Sequence, residues 1–136
     1  MTIKNMEKLF LCILLFVYSI SESKDPHDDD LRGKNLMCFN KSLNIDDWGL
    51  KFLQDKNVEL FSLNKNIYEI YQYKRKYRTD IRNIYIYKNK DIDYIINRNR
   101  LLFGNKKCKI VTGDPIILFQ QRIDKLKKQK QEGNRI

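Results

Sequence analysis

A chain of 136 residues with a formal net charge of +10 has room for one small domain, which excludes a multidomain machine. The charge is held unevenly: residues 1–64 carry 8 Lys and Arg against 10 Asp and Glu, whereas residues 65–136 carry 19 against 7. A basic, tyrosine-rich half points to a polyanionic partner, most often nucleic acid. A chain without alanine and heavy in Asn, Lys, Ile and Tyr also admits a purely compositional origin for that charge.

At the start, Lys4 and Lys8 precede the apolar run Leu9 to Tyr18, and Ser19, Ser21 and Ser23 supply small residues for cleavage. About ten apolar residues are too few for an ordinary bilayer span of about twenty. Residues 1–23 therefore read as a signal peptide, with an uncleaved anchor as the alternative. Membrane contact is expected only through this leader during targeting.

Residues 24–64 read as a transit or linker segment that is poorly ordered, with room for one short helix at 46–54. There Asp46 or Asp47 would cap a turn holding Trp48, Leu50, Phe52 and Leu53. His27 stands beside Asp28, Asp29 and Asp30, but adjacent ligands on a flexible segment do not preorganise a metal site. No metal and no cofactor is expected.

Residues 65–126 carry the folded module. Ile67, Ile70, Tyr71 and Tyr73 lead into Lys74-Arg75-Lys76, a first strand or a short amphipathic helix that runs to a basic turn near Thr79 and Asp80. From Ile81 to Phe119 apolar residues alternate in three runs. Ile84 and Ile86 make the first, Ile92, Tyr94 and Ile96 the second, and Lys109 to Phe119 the third, bent at Gly113-Asp114-Pro115. Such alternation predicts a sheet with one buried face. A mainly β fold follows, a small five-stranded Greek-key barrel of the OB-fold type. It closes with either a last strand near Arg122–Leu126 or a helix, and residues 127–136 form a basic tail.

Cys12 lies in the leader, leaving Cys38 and Cys108. In a secreted protein these two invite one disulfide; in an organelle both thiols stay free. No spacing matches a zinc site. With the one histidine outside the module, Cys–His and Ser–His nucleophile arrangements are unavailable there, and Asp91 and Asp93 read equally as solvent-facing strand residues. No catalytic residue is assigned, and a binding protein rather than an enzyme is expected.

Alternation turns Tyr85 and Tyr87 away from Ile84 and Ile86, where exposed rings can stack on unpaired bases or else pack in the core. Arg82, Arg98, Arg100, Lys106, Lys107 and Lys109 are expected along one edge of that face, where guanidinium groups pair with phosphates bidentately and lysines act as point charges. Binding through such contacts falls steeply with salt.

The segment from about Asn83 to Leu118 resembles bacterial-type translation initiation factor one, an OB-fold protein of the S1-like class. Ile84-Tyr85-Ile86-Tyr87-Lys88-Asn89 is similar to a strand ending in an Asn-containing turn. Asp91 to Asn97 is similar to the next strand, and Arg98-Asn99-Arg100 stands where a basic segment belongs. Cys108 to Ile117, with Thr112-Gly113-Asp114, is similar to the family's "I-R-I-L-x-G-D-x-V". Leu101 to Gly104 is an insertion relative to that pattern, and Pro115 replaces a polar or basic residue. A eukaryotic-type factor of the same fold is the neighbouring alternative. The resemblance implies a monomer that binds ribosomal RNA at the decoding region of the small ribosomal subunit. With the leader, it implies a plastid such as an apicoplast, reached through the secretory route. The competing expectation is a small secreted interaction protein with a Cys38–Cys108 disulfide and no nucleic-acid role, in which residues 36–64 belong to the folded domain.

Overall fold

Period-two alternation governs the chain from Asn35 to Val111. The computed structural model describes residues 27–133, so the expected signal peptide at 1–23 lies outside the described residues. Among the described residues the strands are β1 (Asn35–Cys38), β2 (Asp47–Phe52), β3 (Asn57–Asn64), β4 (Glu69–Thr79), β5 (Asn83–Lys88), β6 (Asp91–Asn97), β7 (Leu102–Phe103) and β8 (Lys106–Val111), followed by helix α1 (Pro115–Gly133). Each strand pairs antiparallel with the next, and β8 returns to β1, so the sheet closes into a barrel.

A mainly β, closed barrel matches the expectation, but its strand count and order do not. Eight strands follow one another around the barrel, in place of five in a Greek-key order. The difference comes largely from residues 24–64, expected as a linker with a short helix at 46–54. Instead residues 35–64 supply β1, β2 and β3, and Asp47–Phe52 is a strand. The barrel sheet therefore runs from Asn35 rather than from residue 65. The segment misleads because both of its faces are covered. In β2, Trp48, Leu50 and Phe52 point into the barrel, whereas Asp47 and Gly49 are buried beneath α1. A strand buried on two sides loses the polar half of its alternation and reads like a buried helix.

Side chains fill the interior. Leu36, Leu50, Phe52, Val58, Leu60, Ile84, Ile86 and Ile96 form one buried cluster with Cys38 and Cys108, leaving the barrel a packed core rather than a pore. One end is covered by the segment before β1: the Leu31 amide donates to the Tyr77 hydroxyl at 2.9 Å, and the Thr79 hydroxyl donates to the His27 carbonyl at 2.7 Å. At the other end Trp48 meets Tyr94 and Phe103, with ring centroids 5.5 and 5.4 Å away.

Helix α1 covers the outside of β1, β2 and β3. Asp114 caps it, accepting from the Ile116 amide at 3.0 Å, and Pro115 takes the first helical position, where its missing N–H costs nothing. Phe119 is fully buried against Met37, Phe61 and Leu63. The Gly113-Asp114-Pro115 bend is thus a helix start, so Ile116 to Phe119 belong to α1 and not to a strand. The helix takes in Arg122–Leu126 and continues through most of the expected basic tail.

Gly49 sets how closely the helix lies. A Cβ there would sit 2.9 Å from Pro115 Cβ and 3.1 Å from Met37 Sδ. Gly49→Val should destabilise the barrel by about 2 kcal/mol through overpacking, with Gly49→Ala intermediate, and a denaturant melt measures both. Equal stability of all three proteins would mean that α1 does not press on β2.

Candidate anion-binding face

Strand β4 carries the densest run of positive charge in the barrel. Its last six residues alternate: Arg75 is half-buried and Tyr77 and Thr79 are buried, while Lys74, Lys76 and Arg78 are exposed. All three cations therefore project from the outer face. On the adjoining β5, Tyr85 lies opposite Arg78, Tyr87 lies opposite Lys76, and Ile84 and Ile86 point inward. Lys88 follows on β5, exposed at the turn.

The Arg78 guanidinium lies over the Tyr85 ring, 4.4 Å from its centroid, and 5.8 Å from that of Tyr87. Its Nε donates to the Tyr87 hydroxyl, and that bond holds its pKa above the ordinary arginine value. The Tyr85 hydroxyl donates to Asp80 Oδ2 at 2.6 Å. Both tyrosines face outward as expected, but each is already engaged by a cation or a carboxylate.

Asp80 anchors the turn between β4 and β5. It accepts from Tyr85 and from the Asn83 and Arg82 amides, and these bonds lower its pKa to about 2. Because the folded-state value is depressed, its contribution is present above the ordinary value of 3.8 and is lost as pH falls through about 2. Titration of the Asp80 carboxyl carbon by NMR should give a midpoint near 2. In Tyr85→Phe that midpoint should move up toward the ordinary carboxylate range; an unmoved midpoint would rule out the hydroxyl as the principal cause.

The expected binding residues do not share one edge; they fall into three groups. Arg82, Arg98 and Arg100 cluster at the end covered by the segment before β1, where the Arg98 amide donates to the Arg82 carbonyl at 2.8 Å. The Arg98 side chain is committed within the protein: Nη1 donates to the Asp80 carbonyl at 2.6 Å, and Nη2 pairs with Asp29. Arg82 and Arg100 are exposed. Tyr85 and Tyr87 sit on the β4–β5 face described above.

The third group is on β8, and alternation divides it. Lys107 and Lys109 are exposed on the outside, with Lys109 Nζ 5.6 Å from the Phe39 ring. Lys106 turns toward the barrel mouth instead, its Nζ 5.5 Å from the Trp48 ring. Burial there lowers its pKa. Alternation along β8 and the internal bonds of Arg98 divide these cations, whereas their nearness in sequence suggested one patch.

The row Lys74, Lys76 and Arg78 is missing from the sequence-derived set. Its signal was present: cations two residues apart on a strand share a face, and here the intervening Tyr77 must point inward. Asn57, Lys74, Lys76, Tyr87, Lys88 and Asn89 are among the residues around a shallow hollow of about 450 Å³ at this site. Its acidic neighbours are few. Glu59 lies across from Lys74, Asp91 lies across from Lys88, and Asp93 pairs with Arg75 at 3.4 Å.

No cluster of His, Cys, Asp and Glu able to hold a metal ion occurs among the described residues. Fold and surface together define a closed antiparallel barrel, bridged at the β1–β8 seam by the Cys38–Cys108 disulfide and cationic on its β4–β5 side. No protein-family model, curated protein or solved structure matches the chain.

Proposed function

We propose that this chain is a secreted, disulfide-stapled interaction protein whose β4–β5 face engages a polyanionic partner. One observation carries the reading: Cys38 and Cys108, cross-strand partners at the β1–β8 seam, are joined by a disulfide buried in the core. A disulfide in that position belongs to an oxidising compartment, because cytosolic reductants keep thiols free. The leader read at residues 1–23 is consistent with such a route. With residues 35–64 inside the barrel, most of the segment expected as transit or linker is needed for the fold.

Intact-mass measurement on protein from its native source, denatured and alkylated, tests this reading. Cys38 and Cys108 should resist alkylation until a reductant is added. Labelling of both without reductant would remove the basis for it.

RNA binding of the initiation-factor kind, in an organelle such as a plastid, is the second reading. The succession of cations and tyrosines along β4 and β5 favours it, since cations interleaved with aromatics are the chemistry of single-strand binding, but Arg78 already covers the Tyr85 ring. The engagement of Arg98 by Asp29 and the Asp80 carbonyl, and the turn of Lys106 toward the barrel mouth, weigh against it. A fluorescent fusion distinguishes the two: accumulation outside the cell supports the first, and accumulation in a plastid supports the second.

A further inference from the structure

We infer that the row formed by Lys74, Lys76 and Arg78 is a binding site for a sulfated polysaccharide. This inference rests on the reading of the chain as a secreted polyanion-binding protein. Residues two apart on one face of a strand stand about 6.6 Å apart, so the row spans about 13 Å. Lys88, at the end of the neighbouring strand, does not share the face of the row but meets it at the shallow hollow lined by Asn57, Tyr87 and Asn89.

A straight, evenly spaced row on an open surface suits a linear polymer whose anionic groups recur along its length. It does not suit a compact anion, which needs donors converging on one point. Sulfate esters stay charged across the accessible pH range. Neutral groups beside the row, the exposed Asn89 amide and the Tyr87 hydroxyl, supply partners for sugar hydroxyls.

The aromatic groups decide against single-stranded RNA. Base stacking needs a free ring face, and here Arg78 lies over Tyr85 and bonds the Tyr87 hydroxyl. The face therefore presents charge with its rings already engaged. The acids in reach are Glu59, which bonds Gln72 at 3.3 Å, Asp93, which is paired with Arg75, Asp91 opposite Lys88, and Asp80, which faces Arg78 from the β4–β5 turn and accepts from the Tyr85 hydroxyl. None of them takes Lys76 or Arg78 as an ion-pair partner.

The experiment uses the disulfide-bonded protein and three probes: a heparin oligosaccharide, the same oligosaccharide desulfated, and a uridine oligonucleotide of matched charge. Heparin binding is expected, with loss of binding on desulfation and weaker, more salt-sensitive binding of the oligonucleotide. The variant Lys74→Gln/Lys76→Gln/Lys88→Gln, confined to exposed side chains, should bind heparin about tenfold more weakly. A control variant, Lys125→Gln/Lys127→Gln/Lys128→Gln, removes equal charge from α1 and should bind as the parent does. Arg78→Gln gives an independent check, with thermal melts confirming that each variant is folded.

Equal weakening by the control variant would show non-specific attraction to net charge and overturn the site. Undiminished binding by the β4–β5 variant would do the same. Preference for the oligonucleotide over heparin would overturn the polysaccharide and favour RNA. These results are separate from the alkylation test: an intact disulfide without heparin binding sinks only this inference, whereas free thiols sink the secreted reading.

Discussion

Replacing Cys38 and Cys108 together by alanine is expected to destabilise the barrel by about 4 kcal/mol and to lower its melting temperature by about 20 °C. The bridge joins residues 70 apart in sequence, so its loss frees a long loop in the unfolded chain. In the chain-entropy description a closed loop of that length is worth about 4 kcal/mol. Its place in the barrel adds a second consequence. The β1–β8 seam is the one junction formed by strands at opposite ends of the sheet, and it is short. It comprises the register pairs from Asn35 with Val111 to Cys38 with Cys108. Alanine is the informative replacement, because serine would leave buried hydroxyls at sites exposed by 0% and 4%. Circular dichroism melts of the parent, oxidised and reduced, and of the double variant make the comparison. A double variant that melts within about 5 °C of the oxidised parent would show that the ladder and core close the seam unaided.

Asp47→Asn is expected to cost about 3–5 kcal/mol, the range for breaking one side of a buried ion pair. Asp47 and Lys65 have fully buried side chains, and Lys65 Nζ lies 3.0 Å from Asp47 Oδ1. The same oxygen accepts from the Asn40 amide at 2.7 Å, and Lys65 also donates to the Asn40 carbonyl at 2.5 Å. The pair therefore fixes the β1–β2 connection from both sides. Asp47 Oδ2 faces Arg122 Nε of α1 at 3.5 Å without a hydrogen bond, so the carboxylate also holds the helix electrostatically. Asparagine keeps the shape and removes the charge, leaving the Lys65 ammonium without its buried counter-charge. Lys65→Met added to Asp47→Asn should recover part of the loss, since removing both charges avoids that penalty. Chemical denaturation of the two variants and the parent provides the measurement. Unchanged stability in Asp47→Asn would mean that water reaches Lys65 and that the pair is not a structural anchor.

Legibility followed the number of faces each strand hides. In β5, Ile84 and Ile86 point inward and Tyr85 and Tyr87 outward, so alternation was plain and the strand could be read directly. In β3, Leu60, Phe61, Ser62 and Leu63 are all buried, because the barrel takes one side and α1 the other. That erases the polar half of the pattern. Asp47 misled for a related reason. An aspartate before an apolar run looks like a helix cap, yet here it is a strand residue neutralised by Lys65 from a different element. The candidate site shows the same division. Lys74, Lys76 and Arg78 share a face through local alternation and were recoverable from spacing. The engagement of Arg98 by Asp29 and the turn of Lys106 toward Trp48 depended on residues far apart in the chain.

The mainly β character, the outward turn of Tyr85 and Tyr87, the crowding of positive charge into the second half and the identity of the two cysteines able to pair are all written in the order of residues. These rest on composition and on the two-residue period of a strand, both properties of neighbouring residues. That eight strands close the barrel, that β1 meets β8 at Cys38 and Cys108, that Asp47 is buried with Lys65, and which cations stand together emerge with the folded barrel alone. Each of those depends on residues far apart in the chain meeting in one place, and closure of the sheet brings them there.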